Sequence, residues 1–228
     1  MGLLDEWQLS FEEINELLTD NPSLRSFVAG YAAELKCRNI WFSPAGGKVS
    51  NVIKYDDHDR TKKGDIAFDY RGQHFTVEVK SLQTNSIKII GDRKVSARFQ
   101  CDASDRRPVR FPDSSEIETT CLLVGEFDLL AVNLFGFYDE WIFAFAKNSD
   151  LPRVTGRGKA AAYTSEQRQR LLASLMPMAN PPVSPYRMEP WSLLDELIEE
   201  RRRGEAVPTV HVVKEHQQET LDIPEGPE

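Results

Sequence analysis

The sequence predicts an α/β fold: a mixed β-sheet flanked by helices, with a small β insertion and helices at the C-terminal end. Three stretches predict it. Residues 63–81 (KGDIAFDYRGQHFTVEVKS) alternate apolar and polar side chains on two arms around Arg71-Gly72, which is the pattern of a hairpin whose glycine can take a positive φ. Residues 127–135 (FDLLAVNLF) and 141–146 (WIFAFA) are almost continuously apolar, as strands covered on both faces are. Between residues 22 and 38, Leu24, Phe27, Val28, Tyr31, Ala32 and Leu35 recur at helical spacing and mark a helix with that stripe buried.

The remaining elements follow in order. Ser10 and Glu13 form a capping box for a short helix through Ile14, Leu17 and Leu18 that ends before Asn21-Pro22. The next helix starts at Pro22 or Ser23 and runs to Arg38. Asn39 to Ser43 reads as a first strand, stopped by Pro44-Ala45-Gly46-Gly47. Residues 48–62 read as a polar loop. His58 lies there among Asp56, Asp57 and Asp59, but no rigid element carries them, so the loop reads as solvated. After the hairpin, residues 94–102 alternate as a half-buried strand, and Arg106 to Phe111 form a Pro-bounded loop; both belong to a basic insertion at about 85–117. Residues 118–125 read as a short helix. Arg153 to Lys159 is glycine-rich and basic without the spacing of a phosphate-binding P-loop. Thr164 or Ser165 caps a helix to about Leu175, closing a main domain of residues 1–176. A Pro-rich linker (177–190) leads to a helix at 191–204 with Leu193, Leu194, Leu197 and Ile198 on one face and Gly204 at its end. Residues 205–228 form an acidic tail of disordered composition.

The chain has 228 residues, of which 40% are hydrophobic and 28% charged. That is enough for one sizeable core. No apolar run is long enough to span a bilayer, and the first residues lack the basic start of a signal peptide, so a cytoplasmic protein away from membranes is expected. Three widely spaced cysteines, Cys37, Cys101 and Cys121, fit reduced thiols and neither a disulfide frame nor a zinc site. The net charge is −8, which argues against a general nucleic-acid coat. The charge is uneven, however. Residues 48–110 hold 14 Lys and Arg against nine Asp and Glu, a net of +5, which leaves −13 for the rest. A basic window is the footprint expected where an enzyme meets a polyanion.

The chemistry lies in that window. Alternation places Glu78 and Lys80 on one face of the second hairpin arm, opposite the apolar set. Asp65, at the start of the first arm, can reach the same end. Two carboxylates and an ammonium together suit a hard divalent cation. The alternative is a solvated, charged hairpin face. This Asp-(x)n-Glu-x-Lys arrangement resembles the PD-(D/E)XK nuclease superfamily, whose fold is restriction-endonuclease-like. Asp65 matches the family's acid and Glu78-Val79-Lys80 its E-x-K; the resemblance covers residues 23–146. It implies Asp65, Glu78 and Lys80 as catalytic residues and Asp65, Glu78, the Val79 carbonyl and Glu34 as metal ligands. Glu34 matches the family's acid on the first core helix, and a solvated helix Glu is its alternative. The cofactor implied is Mg²⁺, with Mn²⁺ as a substitute.

Gln83, just after the E-x-K strand, and Arg98, Arg106, Arg107 and Arg110 in the insertion are candidate substrate contacts, since guanidinium suits phosphate and guanine edges. The resemblance leads to a Mg²⁺-dependent endonuclease acting on double-stranded DNA in restriction or phage defence, as a homodimer or within a larger defence complex. Two other readings stand beside it: a nuclease subunit acting on RNA or branched DNA in repair, and a catalytically silent nucleic-acid-binding or assembly subunit.

Overall fold

The hairpin anticipated from residues 63–81 forms the middle of the protein. The computed structural model describes residues 2–55, 64–156 and 158–205. Strands β2 (Ile66–Tyr70) and β3 (Gln73–Ser81) pair antiparallel, Phe68 opposite Phe75. Arg71 (φ 49°) and Gly72 (φ 77°) make the turn, a geometry in which both central residues need positive φ. On one side of the hairpin lies β1 (Val49–Lys54), antiparallel to β2. On the other, β8 (Leu129–Asn133) runs parallel to β3 and pairs antiparallel with β9 (Phe143–Lys147). The result is a five-stranded mixed sheet in the order β1-β2-β3-β8-β9.

A parallel pair needs a long crossover, and here the basic insertion supplies it. Strands β4 (Lys88–Ile90) and β5 (Arg93–Gln100) form a hairpin that joins β10 (Leu175–Ala179) in a second sheet; β6 (Asp102–Arg110) and β7 (Glu116–Cys121) form a third, two-stranded one. The two faces of the main sheet are therefore covered differently. Val77 and Val79 turn toward α3 (Pro22–Trp41) and α6 (Trp191–Arg202), packing with Phe42, Phe68, Leu193 and Leu194. Leu130 and Val132 turn toward the second sheet, packing with Phe99, Met176 and Met178. The fold is mixed α/β, with a mixed sheet flanked by helices. The short helices are α1 (Leu3–Glu6), α2 (Phe11–Asp20), α4 (Phe135–Tyr138) and α5 (Ser165–Arg170). Among the described residues no helix is long and apolar enough to cross a membrane.

The expected caps are present: Glu13 N–H donates to Ser10 Oγ at 3.1 Å, Ser10 N–H to Glu13 Oε2 at 2.8 Å, and Thr164 caps α5. Five boundaries differ from the expectation. Asn39 to Ser43 is not a strand; α3 continues to Trp41, which lets Trp41 pack edge-on to Phe145 (centroids 5.3 Å apart) and Phe42 stack on Phe68 (4.4 Å). The first strand is instead β1, inside the stretch read as a polar loop. Residues 118–125 are not helical, because Ile117, Thr119 and Thr120, all β-branched, lie in β7 and β-branched side chains favour the pleated strand. Arg106 to Arg110 lie in β6 and not in a loop; Pro108 is accommodated because the two-stranded sheet leaves an outer edge. Helix α5 stops at Arg170, and β10 begins before the expected 177–190 linker and includes Pro177.

The largest difference concerns α3. The stripe read as buried is its solvent face: Phe27 is 70% exposed, and Leu24, Val28, Tyr31 and Leu35 are all above two-fifths. Ala33 and Cys37 are the residues turned inward. The Asp56, Asp57, His58 and Asp59 cluster lies outside the described residues, as do Arg157 in the glycine-rich loop and most of the C-terminal tail. Arg153 in that loop donates to the carbonyls of Leu151, Ser149 and Gln169, so it holds the loop to its own backbone.

Candidate active site

The site begins with a close approach of backbones. Gly64 (φ 79°) crosses β3 so tightly that a Cβ there would meet the Val77 carbonyl oxygen at 3.1 Å and Thr76 Cβ at 3.2 Å. Only glycine combines that φ with that space. The crossing sets Asp65 against β3: its N–H donates to the Val77 carbonyl at 2.8 Å, and its Oδ2 accepts the Val79 N–H at 2.7 Å. The carboxylate is fastened to the strand that carries Glu78 and Lys80.

Glu78 and Lys80 stand side by side on β3, level with Leu130 and Val132 of β8. Lys80 Nζ lies 2.7 Å from Glu78 Oε1, and the two side chains are 23% and 12% exposed. A carboxylate and an ammonium thus sit on a central strand, half withdrawn from water, where charge is tolerated only when opposed. Beneath them is Cys101, fully buried at the end of β5. Burial pushes its thiol up to about 12, against the pull of Lys80.

Asp65 is where the charges conflict. Burial first, then the like charge of Glu78, hold its carboxyl well above the ordinary carboxylate range; Lys80 pulls the other way, Glu34 adds to the rise, and the Val79 N–H lowers it. Lys80 shows the complement: burial depresses it, but Glu78 and Asp65 outweigh that and raise it above a normal lysine. Lys80 is therefore an ammonium. Glu34, 15% exposed on α3, sits 3.2 Å from Lys54 Nζ, and Lys54 in turn caps the Tyr31 ring at 4.5 Å. Glu34 borders the inward side of its helix and adds its charge to the niche around Asp65, so the helix acid, the hairpin acids and the lysine are brought together. Cys37, one turn further along α3, is buried with its thiol raised well above normal by burial and by Asp65. Among the described residues no three His, Cys, Asp or Glu side chains stand close enough to ring an ion. Asp65 and Glu78 are nonetheless hard oxygen donors of the kind a divalent cation prefers, and a cation would reverse the repulsion between them.

The candidate substrate contacts divide. Gln83 follows the strand; its N–H donates to the Arg98 carbonyl at 2.8 Å and its side chain to Gln100 Oε1 at 3.4 Å. It ties the β4–β5 hairpin directly to the end of β3. Arg98 and Arg106 are exposed on β5 and β6. Arg110 makes an exposed pair with Glu116 at 3.2 Å, the kind of contact that contributes little and yields readily. Arg107 does not belong with them. Both its terminal nitrogens donate to Glu126, Nη2 also to the Cys121 carbonyl at 3.3 Å, and Glu126 accepts the Leu123 N–H at 2.8 Å. Its guanidinium is committed to a buried structural pair. Asp128 is structural: it accepts the Thr76 N–H at 2.8 Å and pairs with Arg201.

Two features of the site carried little sequence signal. Cys101 lies on the apolar phase of β5, which its alternation implies, but its place under Lys80 depends on how two sheets stack. Lys54, the partner of Glu34, fell in a stretch without an evident strand pattern. Compared with family models, with curated proteins and with solved structures, the chain matches none.

Proposed function

We propose that this chain is a restriction-endonuclease-like nuclease that hydrolyses DNA phosphodiester bonds with Mg²⁺, acting in the cytosol in restriction or phage defence. The observation that carries the reading is the arrangement on β3: its backbone holds the buried Asp65 carboxylate in place beside the Glu78–Lys80 pair, and burial and the like charge of Glu78 both disfavour the charged form of Asp65. A protein keeps such a niche, unfavourable in itself, where a cation is to be bound.

Asp65 and Glu78, with the Val79 carbonyl, would hold Mg²⁺ or Mn²⁺, and Glu34 would add a third carboxylate. When bound, the ion polarises the scissile phosphate and lowers the pKa of water. Lys80 keeps its proton, because Glu78 and Asp65 favour the charged form. Its part is to orient the attacking water and oppose negative charge developing on the phosphoryl oxygens. The polyanion is received by the β4–β5 hairpin and β6, where Lys88, Arg93, Arg98 and Arg106 are all exposed. That hairpin is fastened to the end of β3 through Gln83, so bound phosphates are delivered beside Lys80.

The test is incubation of the protein with duplex DNA, branched DNA, single strands and RNA, each with Mg²⁺ or EDTA. Mg²⁺-dependent cleavage of the duplex is expected. Cleavage of RNA or branched DNA alone would move the protein to a repair role. Binding without cleavage in Mg²⁺ or Mn²⁺ would make it a silent subunit.

A further inference from the structure

Helix α3 is apolar on two sides. Ala33 and Cys37 turn into the core, while Leu24, Phe27, Val28, Tyr31 and Leu35 form a stripe toward solvent. A helix apolar all round is normally covered all round. Helix α2 lies against α3 and extends the exposed surface with Phe11 (79%) and Leu17 (41%); α1 adds Leu3 (57%) and Trp7 (59%). Neither α1 nor α2 buries a single residue. Taken with their exposures, the seven side chains on the packed pair α2–α3 alone offer on the order of 700 Å² of largely apolar surface, above the roughly 300–600 Å² of the largest patch on a typical monomer and comparable to the roughly 800 Å² each partner gives to a stable interface. A bilayer is a poor match, since Arg25, Glu34, Lys36 and Arg38 interrupt α3 and no described helix can cross one.

The charges around the patch indicate what covers it. Residues 2–20 carry Asp5, Glu6, Glu12, Glu13, Glu16 and Asp20 and no Lys or Arg, whereas α3 carries Arg25, Lys36 and Arg38 against the single acid Glu34, which Lys54 pairs. One patch therefore has an acidic part, α1–α2, and a basic part, α3. A two-fold axis through such a patch sets the acidic part of each copy against the basic part of the other, as an isologous interface requires. We propose that the α1–α3 face binds a second copy of this chain, α2 of one protomer against α3 of its partner.

Sedimentation and light scattering of the full-length protein over a wide concentration range test this. A mass twice that of the 26.0 kDa chain is expected. Phe27→Glu and Phe11→Glu remove exposed anchors and leave the core untouched, so the circular dichroism spectrum and thermal midpoint should match the parent while association weakens on the order of 100-fold. Lys36→Glu alone and Glu16→Lys alone should each weaken association, and the two together should restore it. A single-chain mass at every concentration overturns the proposal. So does a dimer that survives both Phe substitutions, a double reversal that stays weak, or a face occupied only when a different protein is added.

Discussion

Two places in this protein withdraw charge from water, and they do so in opposite ways. Arg107 and Glu126 meet as a fork on a carboxylate, 15% and 5% exposed, with a backbone N–H and a carbonyl taking up further valences. Asp65 lies beside the Glu78–Lys80 pair, with Glu34 held by Lys54 further off, and burial first and the charge of Glu78 second push Asp65 toward its protonated form. The first arrangement matches one cation to one anion and holds β6 to the loop before β8. In the second, a buried carboxyl lies beside a carboxylate of like charge among the described residues. Side chains of the same chemical types are thus scaffold in one place and a candidate reaction centre in the other, and the like charge beside Asp65 separates them.

Substitutions can break that contrast from either side. The largest effect is expected at the niche: Asp65→Ala, Glu78→Ala and Lys80→Ala should each reduce single-turnover cleavage of duplex DNA by about 10³-fold or more. The folded state should persist, and Lys80→Ala should leave duplex affinity nearly intact. Cleavage at the parental rate in any of the three would remove that residue from the centre. At the Arg107–Glu126 pair the effect should fall on stability instead. Arg107→Ala strands a buried carboxylate and should destabilise the fold by about 3–5 kcal/mol in urea denaturation; an unchanged midpoint would return Arg107 to the substrate surface.

A subtler difference appears with pH. The Asp65 carboxyl is raised in the folded protein, so its contribution to stability is fully present below the ordinary Asp pKa and is lost as pH rises through the raised folded value. Asp65→Asn keeps an acceptor for the Val79 N–H and removes the repulsion. In EDTA near neutral pH it should melt above the parent, and the gap should close on acidification. Adding Mg²⁺ should raise the parent's melting temperature and leave the variant's unchanged. The smallest effect is expected on the surface. Arg98→Gln and Arg106→Gln should flatten the salt dependence of duplex binding by about 0.9 log unit per lost phosphate contact. An unaltered slope would make the exposed hairpin arginines bystanders.

How much of this could be read from the chain depended on range. The β2–β3 hairpin was legible because its signal is local: alternation on two arms, a glycine at the turn, and Gly64-Asp65 just before. β8 and β9 were legible because covering on both faces leaves a continuous apolar run. Helical spacing correctly grouped Leu24, Phe27, Val28, Tyr31 and Leu35 on one side of α3. Spacing says which residues share a face and nothing about what that face meets, so the group pointed outward where burial was expected. The same limit applied to the arginines. Arg106 and Arg107 are neighbours in sequence, but strand alternation sends one to solvent and the other to Glu126, 19 residues later. The residues proposed for the niche came together because three of them lie on one hairpin; Glu34 joined them through helix packing that the sequence only hinted at.

Helix α6 bears on when the protein becomes what it is. Trp191 packs on Phe42 and Tyr70, Leu194 is fully buried, Asp195 accepts the Tyr70 hydroxyl at 3.0 Å, and Arg201 lies 4.3 Å over the Phe75 ring. The hairpin that carries Asp65 and Glu78 is thus braced by residues synthesised more than a hundred positions after it. A ribosome part-way through this message holds a chain with its acids already made and their support still missing. The hairpin acquires its footing on α6 only once Arg202 has emerged, so an unfinished chain carries these acids on a hairpin that is not yet fully braced.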